Sequence, residues 1–258
     1  MIRSVLIDLS GTLHIDNHVI PGSVEALKRL MNTNLRIKFV TNTTKESKRI
    51  LHERLTNLGF GVNKNDIISS LGAAKILLEK RKLKPMLMLS PEAKEDFADI
   101  ECPVGARPDA VVIGLAPTEF YYEKLTETFR HINNGSKLIA IHSGKYYKRS
   151  DGLALGPGFF VKGLEYSCQV TAELVGKPSK TFFLSALDDV DPEHAIMIGD
   201  DVTDDIEGAM NAGLQGILVK TGKYQEGDEN KIKPPPSYVA QDFAEAVEII
   251  LQQISKNA

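Results

Sequence analysis

The chain has 258 residues, of which 42% are hydrophobic, enough for a sizeable core in one large domain or in a domain with a second module inserted. Its net charge of −3 and its pI near 6.1 exclude a global electrostatic attraction to nucleic acid or to a membrane surface. Cys102 and Cys168 are too few for a disulfide framework and lack metal-ligand spacing, which fits a reducing, cytoplasmic compartment. No stretch approaches the roughly 20 apolar residues that a membrane-spanning helix needs, so no membrane contact is expected.

The first predicted strand ends in a carboxylate. An apolar run over 4–9 is interrupted by Asp8, and Gly11 follows in the turn. A helix predicted over 22–31 and a strand over 37–41 complete a β-α-β unit. In open α/β sheets, ligands bind in the crevice beyond the carboxyl ends of the strands, so Asp8 is expected to face a ligand. Taken alone, Asp8 is better explained as a residue that caps the next turn, because aspartates are common in turns.

The rest of the first series of elements follows from helix and turn signals. Thr43 and Glu46 have the spacing of a capping box, which predicts a helix that begins there and runs to about Leu58. Gly59 is expected to end it in a left-handed conformation. A short apolar segment over 66–70 predicts a third strand.

A second series of helices and strands starts near residue 72. Its predicted helices cover 73–82, 91–97 and the segment from a Thr118 cap to Gly135, and its predicted strands cover 86–89, 110–114 and 138–141. The stretch 72–172, about 100 residues, has the usual size of an independent domain. Strands over 173–175, 195–198 and 216–219 and helices over 180–187, 204–211 and 243–254 are assigned to the first series.

These elements predict an α/β protein with two domains. The core domain, residues 1–71 and 173–258, is expected to contain a doubly wound, mostly parallel, Rossmann-like sheet. Residues 72–172 are expected to form an inserted α/β domain, joined to the core by two short connections.

Polar side chains follow three later predicted strands, as Asp8 follows the first. They are Thr41 and Asn42, then Lys177 after Gly176, then Asp200, Asp201, Asp204 and Asp205 after Gly199. The set supplies a carboxylate nucleophile, hydroxyl and amide donors, one lysine and an acidic cluster. Phosphoryl transfer needs these groups, because most of its catalysis is positioning and the neutralisation of charge.

Each cluster also has a simpler explanation when it is considered singly. Lys177 fits a solvated turn, Thr41 fits a helix cap, and the acidic cluster fits a helix start that is favoured by the macrodipole. Four such clusters at the strand ends of one sheet are hard to explain as unrelated turns. Jointly they predict a phosphoryl-transfer site in which Asp8 and Asp200 bind Mg²⁺. Mg²⁺ is a hard cation, and carboxylate and carbonyl oxygens are the ligands it prefers. Lys177 would add positive charge, and Thr41 and Asn42 would donate hydrogen bonds to the phosphate.

In order, these motifs resemble the four motifs of the haloacid dehalogenase superfamily of phosphohydrolases. The module inserted between the second and third motifs resembles the C2-type cap of the nitrophenylphosphatase-like branch. The resemblance implies that Asp8 forms an aspartyl-phosphate and that Mg²⁺ is bound by Asp8, the Ser10 backbone carbonyl and Asp200, with support from Asp205. It implies catalytic roles for Asp8, Ser10 and Lys177. The residues implied in substrate binding are Asp8, Leu9, Ser10, Thr41, Asn42 and Lys177.

The chain departs from most phosphatases of that superfamily at Ser10. They carry an Asp two residues after the nucleophile, which acts as general acid and base, whereas a serine hydroxyl does not exchange protons near neutral pH. Slow turnover of alkyl phosphate esters is therefore expected. Pyrophosphate, phosphoramidates and aryl phosphates are the expected small substrates, because their leaving groups depend less on an external acid.

Two further features leave alternatives open. Residues 145–149 (Lys-Tyr-Tyr-Lys-Arg) are interpreted either as a solvated loop or as a cap loop that selects an anionic or aromatic leaving group. Five such residues in an acidic protein are a weak case for nucleic-acid binding. The alternative function is that of a nearly inactive phosphate-binding or regulatory protein on the same fold; a dehalogenase is less favoured, because it would not need the acidic cluster. The oligomeric state stays open, with a homodimer among the options.

Overall fold

A computed structural model describes residues 1–256 of the chain. Its strands are β1 (Ser4–Ile7), β2 (His14–Ile15), β3 (His18–Val19), β4 (Arg36–Thr41), β5 (Ile67–Ser69), β6 (Pro85–Met88), β7 (Ala110–Ile113), β8 (Lys137–Ala140), β9 (Tyr146–Arg149), β10 (Gly152–Leu155), β11 (Glu173–Leu174), β12 (Ala195–Gly199), β13 (Gln215–Val219) and β14 (Tyr238–Ala240). Its α-helices are α1 (Ser23–Met31), α2 (Lys48–Asn57), α3 (Ser70–Arg81), α4 (Pro91–Lys94), α5 (Tyr122–Asn133), α6 (Gly158–Cys168), α7 (Lys180–Ser185), α8 (Gly208–Asn211) and α9 (Phe243–Lys256). A π-helix, Val202–Glu207, precedes α8.

The first sheet has six parallel strands in the order β14-β13-β12-β1-β4-β5. Its central strand, β1, is buried along its whole length and contributes to a core on each face of the sheet. Val5 and Ile7 pack on one face with residues of α1, α2 and α9. Leu6 packs on the other face with residues of α7 and α8. Because helices cover both faces, the sheet is doubly wound, and the predicted fold class is confirmed.

The second sheet has four parallel strands in the order β11-β8-β7-β6 and is also covered on both faces. Helix α3 packs on one face, and helices α5 and α6 pack on the other. Strand β11 was expected in the first sheet, which is wrong, because Glu173 and Leu174 pair with Ile139 and Ala140 of β8. A two-residue strand has too little pattern to indicate which sheet completes its hydrogen bonds. The division into a core (1–71, 173–258) and a cap (72–172) stays a prediction.

Residues 146–149, expected in a loop, form a strand. Tyr146–Arg149 is strand β9, which pairs antiparallel with β10 in a hairpin. We call residues 146–155 the cap hairpin. A second, smaller hairpin, β2 with β3, follows the turn after Asp8.

Two predicted helix starts differ from the structure. Helix α2 is capped by Ser47, whose Oγ accepts a hydrogen bond from the Ile50 N–H (3.3 Å), and not by Thr43. Glu46 precedes the Ser47 cap and therefore cannot complete a capping box, and its carboxylate binds the Arg54 guanidinium (Oε1–Nη2 2.5 Å). Helix α5 begins at Tyr122 rather than at a Thr118 cap, since Phe120 leaves the helical conformation (φ −91°, ψ 58°).

The helices of residues 1–256 include none that is both long enough and apolar enough to cross a bilayer.

Candidate active site

The polar residues that follow the strands meet at one edge of the first sheet, as the sequence predicts. Asp8 follows β1, Thr41 ends β4, Asp200 follows β12, and Lys177 comes from the connection after β11. They line a cavity of about 400 Å³. Residues of the cap hairpin line the same cavity, so its walls come from the strand ends of the first sheet and from the hairpin.

The Lys177 ammonium is buried in the cavity among several oxygen partners. Its Nζ lies 2.6 Å from Asp8 Oδ1 and 2.6 Å from Asp205 Oδ1, and it donates a further hydrogen bond to the Val40 carbonyl (3.1 Å). The side chain is only 2% exposed. Burial alone lowers the pKa of Lys177, but the carboxylates of Asp205 and Asp8 outweigh it and raise the pKa. Lys177 is therefore a fixed cation beside Asp8.

Asp8, Asp200 and Asp205 form a buried acidic cluster. One carboxylate oxygen from each lies within 4.8 Å of the others, which is the spacing of a site for one cation. Burial and the nearby Asp8 charge raise the pKa of Asp200 well above its ordinary value. Burial also raises the pKa of Asp205, to about 7, although Lys177 opposes the shift. The nearby cations do not fully offset the charge on Asp200 and Asp205, and a bound cation would offset it.

The turn after Asp8 brings the backbone close to the acidic cluster. Gly11 has φ +101°, and a Cβ at this position would collide with the Asp200 carboxylate, so the turn requires glycine. Thr12 Oγ1 lies 3.3 Å from Asp8 Oδ2 as a hydrogen-bond donor. Ser10 is exposed and lines the cavity, whereas Leu9 also lines it but is buried.

Thr41 and Asn42 differ in what they offer a substrate. The Thr41 Oγ1 accepts the Thr43 N–H (3.2 Å), and its own hydroxyl hydrogen has no acceptor within residues 1–256. Asn42 was expected to donate to a phosphate, but its side chain is engaged with the Lys177 backbone. It donates Nδ2–H to the Lys177 carbonyl (3.0 Å) and accepts the Lys177 N–H at Oδ1 (2.9 Å). The Asn42 side chain therefore positions Lys177.

Sequence reasoning missed Lys223. Its backbone N–H donates to Asp200 Oδ2 (2.7 Å), and its Nζ donates to Asp201 Oδ2 (2.9 Å). The signal was present, because Lys223 lies four residues after predicted strand 216–219 and belongs to another strand-end turn.

Asp201 also caps the π-helix, accepting N–H groups of Thr203 and Asp204 (3.0 and 2.9 Å). The simpler explanation, a helix start, therefore holds for Asp201.

Comparisons with known proteins agree with this architecture. The haloacid dehalogenase-like hydrolase family matches residues 5–102, and the HAD-hydrolase-like family matches residues 174–246. The chain is 54% identical over 256 residues to haloacid dehalogenase-like hydrolase domain-containing protein 2 of Rattus norvegicus, with 98% of each chain covered. It is 37% identical over 259 residues to phospholysine phosphohistidine inorganic pyrophosphate phosphatase of Xenopus laevis, covering 97% of this chain and 95% of that protein.

Solved structures show the same fold. 4-Nitrophenylphosphatase from Thermotoga maritima matches with a TM-score of 0.85 at 27% identity, covering 96% of this chain and 97% of that one. Glycerol phosphate phosphatase from Mycobacterium tuberculosis, solved in complex with magnesium, matches with a TM-score of 0.82 at 28% identity, covering 94% of this chain and 75% of that one.

This chain belongs to the haloacid dehalogenase-like hydrolase family. The predicted family, enzyme class and fold class are confirmed.

Proposed function

We propose that this chain is a magnesium-dependent phosphohydrolase that acts on a small phosphorylated substrate through an aspartyl-phosphate at Asp8. One observation carries the proposal. The Asp8 carboxylate lies beside the Lys177 ammonium and within one cation's reach of Asp200 and Asp205, in a cavity large enough for a small substrate. The relatives named as phosphatases support the same reaction class.

The residues present fit a divalent cation. Asp8, Asp200 and Asp205 are each at most 5% exposed, and Lys177 is the cation that contacts two of them. The Lys177 ammonium is shared by two of these carboxylates and the Lys223 ammonium is paired with Asp201, so the cluster keeps an excess of negative charge, which is costly in a site with little water. Oxygen ligands of this kind suit Mg²⁺, with the Ser10 carbonyl as the further ligand that the family resemblance implies. When bound, Mg²⁺ would offset the charge on Asp8 and on the phosphate.

The protein groups then divide the reaction into two displacements. An Asp8 carboxylate oxygen forms a bond to phosphorus while the bond from phosphorus to the leaving group breaks, and the leaving group departs with that electron pair. Lys177 orients Asp8, and the Thr41 hydroxyl donates to a phosphate oxygen. Water then forms a bond to phosphorus as the Asp8–phosphorus bond breaks, and the water releases a proton. Phosphate is the product, and the Asp8 carboxylate is restored.

Ser10 narrows the substrate class. Because it carries no carboxyl group, it cannot give a proton to the leaving group in the first displacement or accept one in the second. Substrates whose leaving group is stable without an added proton should react fastest. Pyrophosphate, aryl phosphates and phosphoramidates meet this condition, and sugar phosphates do not.

The test is hydrolysis of p-nitrophenyl phosphate with Mg²⁺, with and without a chelator. We expect Mg²⁺-dependent release of p-nitrophenol that Asp8→Asn abolishes. Asp191→Asn is the matched control, because Asp191 is an exposed aspartate outside the cavity and should keep wild-type activity. Trapping of ³²P on wild-type protein, and none on Asp8→Asn, would identify the covalent intermediate. Equal activity of wild type and Asp8→Asn would refute the proposal.

Ser10 also favours a second candidate, a phosphate-binding protein on the same fold with almost no turnover. This candidate predicts that inorganic phosphate binds in a Lys177-dependent manner, while none of the expected substrate classes is hydrolysed. Calorimetry with inorganic phosphate, run beside the p-nitrophenyl phosphate assay, separates the two functions.

A further inference from the structure

Within residues 1–256, the cap hairpin makes two polar contacts to turns on the first sheet's side of the cavity. The Ser150 N–H donates to Asp16 Oδ2 (2.9 Å), which joins the hairpin tip to the turn between β2 and β3. The Lys45 Nζ lies 4.1 Å from the centroid of the Tyr147 ring, a cation–π contact. Tyr147 and Lys148 of the hairpin line the cavity together with Lys45. The hairpin therefore forms one wall of the space that a leaving group would occupy.

The basic residues of the cavity fall into two classes. Lys177, Lys223 and Arg54 each form an ion pair with a carboxylate. Lys45 and Lys148 form none with any residue in the range 1–256, and Lys148 is half-buried. Nearby acidic groups are largely engaged, since Glu46 binds Arg54 and Asp16 accepts the Ser150 N–H, while Glu92 is exposed.

We propose that Lys45 and Lys148 form a second anion subsite, which binds a negative charge on the leaving group of the substrate. The proposal rests on the proposed function, because it assigns the part of the substrate that is not transferred. Lys45, which is exposed, and Lys148 line the same cavity, and two ammonium groups without carboxylate partners there attract an anion. Tyr147 is a positioning residue, since its ring holds the Lys45 ammonium at the cavity. The substrate class is a phosphate compound with an anionic group on its leaving side.

A matched pair of aryl phosphates tests the subsite. 4-Carboxyphenyl phosphate and 4-carbamoylphenyl phosphate have nearly the same size, but only the first has an anionic leaving side. For wild-type protein with Mg²⁺, we expect kcat/KM to be about tenfold higher for the carboxyl compound, because a charge-assisted contact is worth that much. In Lys148→Met and Lys45→Met this ratio should fall toward one, mainly through a higher KM for the carboxyl compound.

Control variants distinguish the subsite from a general loss of structure. Lys137→Met removes an exposed lysine of β8 outside the cavity and should keep the wild-type ratio. Tyr147→Phe keeps the ring beneath Lys45 and should also keep the ratio, whereas Tyr147→Leu should lower it. If wild-type protein cleaves both compounds with equal kcat/KM, or if both Met variants keep the tenfold ratio, the subsite is overturned. If it cleaves neither compound, the proposed function itself fails.

Discussion

The strand ends of the first sheet and the cap hairpin line the same cavity, but their residues are packed differently. At the strand ends of the first sheet, Asp8 and Lys177 are buried and held by several short contacts. On the cap hairpin, Leu153 and Leu155 are more than half exposed (52% and 55%), and a hydrogen bond to Asp16 and a cation–π contact with Lys45 join the hairpin to turns beside the first sheet. The first arrangement fixes the reacting groups, which a phosphoryl transfer needs. The second leaves room for a leaving group and is suited to selecting it.

The comparison predicts the largest effect at Lys177. Lys177→Met removes the cation that contacts both Asp8 and Asp205, so the mutant should lose activity on p-nitrophenyl phosphate by at least about 10³-fold. Its free energy of unfolding should also fall by about 3–5 kcal/mol, because the buried carboxylates lose their partner. Denaturant unfolding without Mg²⁺ measures the loss in stability, and Lys180→Met, an exposed lysine nearby, is the control. Wild-type stability in Lys177→Met would contradict the view that this region depends on paired buried charge.

The second-largest expected effect is a loss of Mg²⁺ affinity on substitution of Asp200. Asp200→Ala should weaken Mg²⁺ binding by at least about 100-fold, because two carboxylates and a carbonyl hold this reluctantly dehydrated ion poorly. Isothermal calorimetry with Mg²⁺ measures the change. Asp201→Asn is the comparison variant, since the Asp201 side chain binds Lys223 and caps the π-helix and should affect Mg²⁺ less. Unchanged affinity in Asp200→Ala would exclude Asp200 as a ligand.

Ser10 tests whether the strand-end region has lost a proton-transfer group. Ser10→Asp should raise kcat/KM for glycerol phosphate by up to about 10²-fold and for pyrophosphate much less, since general acid catalysis helps a poor leaving group most. The phosphorylated intermediate should also accumulate less in the variant. Comparison of glycerol phosphate, p-nitrophenyl phosphate and pyrophosphate in both proteins measures this. If wild-type protein already cleaves glycerol phosphate as readily as pyrophosphate, another residue supplies the proton.

The difference between the regions also explains what the sequence could predict. Asp8 and Asp200 were found because each ends an apolar run, and parallel strands bring such ends to one edge. The role of Asn42 was not predictable, because its partner is the backbone of Lys177, far along the chain. The hairpin was missed because its charged, aromatic sequence equally fits a solvated loop, and short antiparallel pairing depends on tertiary contacts.

The smallest expected effect is on the free energy of unfolding when a cap-hairpin residue is replaced, in contrast to the large loss expected for Lys177→Met. Tyr147→Leu removes the ring beneath Lys45, and a cation–π contact near the surface is worth only about 0.5–1 kcal/mol. The variant should therefore unfold at nearly the wild-type denaturant concentration, with Tyr147→Phe as the conservative control, even though its preference for an anionic leaving group falls. A loss of several kcal/mol in Tyr147→Leu would mean that the hairpin is part of the packed core. Substrate selection would then depend on the same buried contacts as the chemistry, and the functional division between the two regions would be wrong.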